Sequence, residues 1–151
     1  VLQDDRLKKT KISAGDMVMY TYDPKLKKTL PYYDTFPLAI IVGKAPGGFH
    51  ALNLHYLPPK VRAIFLDKLN DVTNNQKFDD STKFKLTYKL LKATANYKYF
   101  APCYKHYLTP NVTSNVMKVN SSEWNIAIFL QTAAFRKKSQ RYIWGQSRRK
   151  Y

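Results

Sequence analysis

Residues 36–59 read FPLAIIVGKAPGGFHALNLHYLPP, and this stretch decides the kind of fold. Phe36 to Val42 is an almost unbroken apolar run with Pro37 near its start and Gly43 at its end, the pattern of a buried strand. Pro46-Gly47-Gly48 marks a turn, and Phe49 to Leu54 returns as the second arm of a hairpin. Pro58-Pro59 cannot continue a sheet, because proline has no N–H to give it, but suits the first turn of a helix. Sheet therefore hands over to helix within one segment.

Upstream, DMVMYTYD (residues 16–23) alternates Met17, Met19 and Thr21 with Val18, Tyr20 and Tyr22, which predicts a strand with one aromatic and aliphatic face. Asp23-Pro24 breaks it, and the lysine-rich PKLKKTL reads as an exposed, hairpin-like loop. Residues 1–15, with Arg6, Lys8, Lys9 and Lys11, suit a basic flexible arm.

Downstream, Val61, Ile64, Phe65 and Leu69 recur at helical spacing through Asn70. A second helix is expected from Ser81 or Thr82 to Ala95, with Phe84, Tyr88, Leu91 and Ala95 on one face and Lys83, Lys85, Lys89 and Lys92 on others. YKYFAPCYKHYLTPNVTSN (97–115), interrupted by Pro102 and Pro110, reads as short helix and loop, and Val116–Val119 as a strand. Asn120 and Glu123 have the spacing of a reciprocal helix cap, followed by Trp124, Ile126, Ala127, Ile128 and Leu130 as the apolar positions of a buried helix. The expectation is an α+β fold: a small antiparallel sheet or SH3-like partial barrel packed with several helices. It divides into a basic arm (1–15), a single domain (16–135) and a basic aromatic C-terminal tail (136–151).

Charge narrows the partners. Among 151 residues, 26 Lys+Arg face 10 Asp+Glu, a formal net charge of +16, so a polyanion or an acidic surface is expected. The single cysteine excludes an internal disulfide framework. No apolar run approaches the roughly 18 residues of a membrane-spanning helix, and VLQDDRLKKTK has acids and bases where an export signal needs an apolar segment, so neither a membrane nor a leader is expected. The tail carries Arg136, Lys137, Lys138, Arg141, Arg148, Arg149 and Lys150 interleaved with Tyr142, Trp144 and Tyr151. Cations there suit a phosphate backbone and rings suit exposed bases. The competing structural reading docks Tyr142, Ile143 and Trp144 on the core and leaves the bases solvated.

Catalytic constellations are weaker. His50 and His55 stand five apart, on opposite faces of a strand, and with His106 they match no metal-ligand spacing, so no metal is expected. Cys103 with His106 lacks an orienting third group and reads as a buried or partly exposed free thiol. Asp34, Asp67, Asp71, Asp79 and Asp80 fall in loops and around helix ends, and the glycines make no phosphate-binding loop. No catalytic residue and no cofactor is expected. Pro31, Tyr32, Tyr33, Asp34, Phe36, His55 and Tyr56 are the candidate partner surface, tyrosine being favoured where one end is buried and the other wet. The competing view is an aromatic lid on the sheet.

The strings YDPKLKKTLPYYDTFPL, GGFHALNLHYLPPKVRAIFLDKL, YKHYLTPNVTSN and SSEWNIAIFL resemble a family of small virion structural proteins of large contractile-tailed, T-even-type bacteriophages, members of which are sometimes labelled DNA end protectors. The resemblance runs from about Tyr20 to Ser147, leaving the arm before Gly15 outside it. It implies a non-enzymatic virion component at the head, neck or tail machinery, found in the host cytoplasm during assembly. Other virion proteins and double-stranded DNA are the implied partners, in a symmetric homo- or hetero-oligomeric assembly. The alternatives are an architectural tail or baseplate subunit meeting acidic protein surfaces, a metal-dependent nuclease using Asp67 and Asp71, and an RNA-binding protein.

Overall fold

The computed structural model describes residues 12–73, 77, 79–95 and 103–149. Five strands form one antiparallel sheet: β1 (Met17–Met19), β3 (Leu38–Ala45), β4 (Gly48–Asn53), β5 (Tyr104–Leu108) and β6 (Met117–Val119), in the spatial order β5-β4-β3-β1-β6. Two short strands, β2 (Tyr33–Asp34) and β7 (Phe135–Arg136), pair separately. The helices are α1 (Pro59–Thr73), α2 (Asp80–Ala95), the single turn α3 (Trp124–Ala127) and α4 (Gln140–Arg149). This is the expected α+β mixture.

The apolar run of β3 is continuous because both faces of the sheet are covered. Leu38, Ile40 and Val42 enter a core shared with Met17, Leu52, Leu66, Leu69 and Ile143, while Ala39 and Ile41 enter a second one with Val18, Tyr20, Phe49 and Tyr107. The β3–β4 connection is the two-residue turn Pro46-Gly47, with Gly47 at φ 74°, a conformation glycine adopts without steric cost. At Gly48 a β-carbon would stand 1.8 Å from the carbonyl oxygen of Tyr107, so the close approach of β5 to β4 requires glycine there.

Three expectations need correction. Tyr104–Leu108 is a strand, not short helix and loop: Tyr104 pairs with Leu52 and Leu108 with Gly48, and Pro110 lies beyond the ladder in the turn Thr109–Asn111. Residues 97–102 of that segment lie outside the described residues. The buried helix expected after Asn120 is only one turn, entered through a 3₁₀ turn at Ser121–Glu123. Trp124, Ala127 and Ile128 turn inward while Ile126 (63% exposed), Phe129 and Leu130 face out. Asn120 caps that turn by accepting from the Ser122 N–H, at 3.2 Å. On α1, Ile64 is exposed, whereas Arg62 is buried: its Nε donates to Leu57 O (2.8 Å) and its Nη1 to Ile128 O (2.7 Å), and its guanidinium lies over the Trp144 ring. Helical spacing sees apolar residues and misses a cation whose donors are satisfied by carbonyls. On α2, Lys85 and Lys89 are exposed, and the side chains of Lys83, Phe84, Tyr88, Leu91, Lys92 and Ala95 lie outside the described residues.

Candidate nucleic-acid interface

Two lysine-bearing segments distant in sequence meet at the small β2–β7 sheet. Tyr33 pairs with Arg136 and Asp34 with Phe135, which brings the C-terminal segment alongside the Lys25–Thr29 turn. Directly after β7, Lys137 takes a left-handed backbone (φ 77°), unusual for a residue with a β-carbon. Its Nζ donates to the carbonyls of Lys27 (2.6 Å), Lys28 (3.3 Å) and Leu30 (2.7 Å), tying the turn down. Lys27 is also paired with Asp23 at 3.0 Å. Lys25, Lys27 and Lys28 on the turn, Arg136 and Lys138 on either side of Lys137, and Arg141 at the start of α4 are exposed, so the two segments that the clamp joins carry a set of cations, the basic ridge.

Beside the ridge is a cleft of about 250 Å³, walled by Tyr22, Tyr32, Tyr33, Tyr56, Lys25 and Lys105 among others. Tyr32 sits between Tyr56 (ring centroids 6.0 Å apart) and Tyr142 (6.4 Å), and the Lys105 Nζ lies 4.1 Å from the centroid of the Tyr56 ring. Burial pushes the phenols of Tyr22, Tyr32 and Tyr56 upward, so these walls stay neutral at physiological pH. Neutral rings add no negative charge beside the ammonium groups of Lys25 and Lys105, and the Asp34 carboxylate is the acid that borders the cleft.

Under the cleft lies a buried polar pivot. The Oδ2 of Asp34 accepts from His55 Nδ1 (2.7 Å) and Asn53 Nδ2 (3.2 Å), and its Oδ1 accepts from the N–H groups of Phe36 (3.0 Å) and Ala134 (3.1 Å). Burial alone would raise the Asp34 carboxyl, but the hydrogen bond and charge of His55 and the two backbone donors outweigh it and hold the group below its ordinary range. His55 Nε2 reaches the Thr132 hydroxyl at 3.2 Å, and Asn53 Nδ2 also donates to the Tyr107 hydroxyl at 2.9 Å. The line of carboxylate, imidazole and hydroxyl has the polarity of a proton relay. Because Asp34 and His55 are enclosed by protein, what it does here is fasten β2, the end of β4 and residues 132–134 together.

The structure therefore divides the candidate residues. Asp34, His55 and Tyr56 are buried, at 3%, 0% and 2% exposure, and cannot form a partner surface, because the pivot and the core consume them. Pro31 is exposed and Tyr32, Tyr33 and Phe36 are half-buried. Arg136, Lys137, Lys138 and Arg141 lie on or beside the ridge, the side chains of Arg148 and Arg149 are outside the described residues, and so are Lys150 and the bases of the arm up to Lys11. The tail is seated on the core: Ile143 is fully buried and the Trp144 indole N–H donates to His55 O at 2.9 Å. Lys25, Lys28, Tyr22 and Lys105 were not singled out from sequence, although the KLKK run after Asp23-Pro24 carried a signal for the first two.

The other constellations have structural roles. Cys103 is buried and its thiol is pushed up to about 12 by that burial, which leaves it inert as a nucleophile. His106 Nε2 contacts Pro46 O at 2.8 Å, and His50 packs against His106 across the strands. Asp67 and Asp71 lie exposed on α1, and Asp79 Oδ1 accepts from the Thr82 N–H at 2.7 Å, at the start of α2. Among the described residues no three His, Cys, Asp or Glu side chains converge as a metal site.

The family described as Phage T4 terminal DNA protecting protein matches residues 4–151. The match extends past both ends of the resemblance seen in the sequence and takes in most of the N-terminal arm. No curated protein and no solved structure matches the chain.

Proposed function

Because the chain belongs to the family of the phage T4 terminal DNA protecting protein, we propose that it is a non-enzymatic virion component whose basic ridge grips the backbone of duplex DNA at its end. The observation that carries this reading is the Lys137 clamp, which sets the Lys25–Lys28 turn beside Arg136, Lys138 and Arg141 as one surface. Cations on such a surface bind phosphates and release condensed counterions, giving affinity without sequence preference. Protection of an end then follows from occupancy, since an exonuclease cannot reach a terminus that is covered. Arg148, Arg149 and Lys150, the last bases of the same sequence segment, are proposed as further phosphate contacts. A place at the head, neck or tail machinery, next to other virion proteins, belongs to the same proposal, and cross-linking in intact particles tests it.

Anisotropy titration of a blunt duplex across a salt series tests the ridge. Binding at low salt is expected, with log K falling linearly in log salt. Replacing Lys138 and Arg141 together by glutamate should weaken binding at least tenfold and flatten the slope by about 0.9 for each phosphate that is no longer neutralised. Absence of binding at low salt, or a double variant that binds like the wild type, would sink the proposal. Tighter binding to RNA of equal length would move it to the RNA alternative.

A further inference from the structure

Resting on the reading of the ridge as a DNA surface, we propose that the tyrosine cleft seats the terminal nucleotide of a DNA strand. In that seat the unpaired base lies against the rings of Tyr32 and Tyr33, with its phosphate toward Lys25. Size selects this occupant. About 250 Å³ lies just under the roughly 300 Å³ at which drug-sized ligand pockets begin, room that suits one ring system better than a base pair. Position selects it too: Lys25 belongs both to the cleft wall and to the ridge, so a strand gripped along the ridge delivers its last nucleotide to the rings. A strand end separates from its partner more easily than an internal base pair, which has to be flipped out at a cost of a few kcal/mol.

The chemistry of the walls agrees. Tyr32 is held in place by Tyr56 and Tyr142, so its ring is positioned before a base arrives. Stacking on a phenol accepts every base, because each has a π-face, which suits a protein that has to bind an end of any sequence. Lys105, over the Tyr56 ring, places a second cation at the cleft wall. The Asp34 carboxylate also borders the cleft, but its oxygens are engaged by His55, Asn53, Phe36 and Ala134, which leaves the rings of Tyr32 and Tyr33 and the Lys25 ammonium to meet the ligand.

The experiment uses the full chain with two duplexes of the same sequence, one with blunt ends and one closed at both ends by hairpin loops. A fluorescent adenine analogue is placed at the terminal or at a central position. Wild type is expected to prefer the open duplex by about tenfold, in line with one stacked base, and to quench the terminal analogue but not the central one. Tyr32→Leu should abolish the preference and the quenching while binding the closed duplex as before, and Tyr32→Phe should restore both. A thermal melt of each variant shows that it is folded, and Tyr33→Ala gives a second disruption should Tyr32→Leu not fold. Equal affinity for open and closed duplexes, or equal quenching at both positions, overturns the cleft as an end seat while leaving the ridge intact. Competition by a free mononucleotide at micromolar concentration overturns it in favour of a nucleotide pocket unrelated to DNA ends. Failure to bind either duplex overturns the ridge itself and this inference with it.

Discussion

Two sets of tyrosines lie within one small fold and do opposite work. Tyr20, Tyr22 and Tyr107 meet edge to face with one another, Tyr20 and Tyr107 at 5.5 Å and 88°, Tyr22 and Tyr107 at 4.8 Å and 80°, and Phe49 completes the group. Their rings are nearly enclosed, although edges of Tyr22 and Tyr107 also border the cleft, and two of their hydroxyls are used: Tyr107 accepts from Asn53, and Tyr22 accepts from the Leu108 N–H at 2.7 Å. Tyr32, Tyr33 and Tyr142 keep a side open to solvent beside lysines. The difference lies in what precedes each residue. On or beside a regular strand, alternation drives every second side chain into the sheet's packed face. Tyr32 and Tyr33 follow Pro31 at the entry to the two-residue strand β2, which pairs with the equally short β7 outside the main sheet, and both rings are only half-buried. Tyrosine content thus states how much aromatic surface exists, while local backbone decides whether it becomes core or wall.

The largest test of that division is Asp34, the junction of the two sets, because Asn53 reaches both its carboxylate and the Tyr107 hydroxyl. Asp34→Ala leaves four donors without their acceptor and should cost about 3–5 kcal/mol in urea unfolding, since each buried donor left unpaired costs roughly 1–3 kcal/mol. Both sets should loosen together. Asp34→Asn separates charge from shape through pH. The folded-state carboxyl is held below its unfolded value, so its contribution is present above the unfolded pKa of about 3.9 and is lost as pH falls through the folded value. The stability gap between wild type and Asp34→Asn should therefore narrow on acidification below about pH 4. A gap constant down to the acid limit would show that geometry, not charge, is what Asp34 supplies.

Tyr107→Phe removes only the hydroxyl that Asn53 engages and keeps the ring that borders the cleft. It leaves the Asn53 amide short of one acceptor and should cost about 1–3 kcal/mol, with DNA affinity unchanged in the folded protein. Loss of DNA affinity without loss of stability would break the distinction between core and wall tyrosines.

Much of the fold was legible because burial leaves a mark in sequence. The run at Leu38–Val42, the Pro46-Gly47-Gly48 turn and the proline entry to α1 each follow from a local rule that the tertiary structure obeys. The failures share one cause, which is partners distant in sequence. Arg62 is inside because carbonyls at Leu57 and Ile128 meet it, and Tyr104–Leu108 is a strand because β4 offers an edge. Phe129 and Leu130 look like core and are not, because the helix ends after one turn. The candidate site was legible in half. The exposed cations of the tail were visible as composition, but their meeting with the Lys25–Lys28 turn depends on hydrogen bonds spanning more than a hundred residues.

Lys137 gives the smallest expected change in stability and the sharpest contrast with a change in binding. Its left-handed backbone costs roughly 1–2 kcal/mol relative to glycine, and its ammonium returns a similar amount through three exposed hydrogen bonds to the turn. Lys137→Gly should therefore shift stability by less than about 0.5 kcal/mol, the relief of strain offsetting the missing bonds. DNA affinity should nonetheless fall, because the Lys25–Lys28 turn is released from the ridge and has to be ordered again on binding. Paired thermal melts and salt titrations decide it. A variant clearly more stable than wild type and equal to it in DNA affinity would mean that the turn holds its place without the clamp. Retained stability with weakened binding would mean that the strained backbone at Lys137 is kept for the surface it organises, not for the fold.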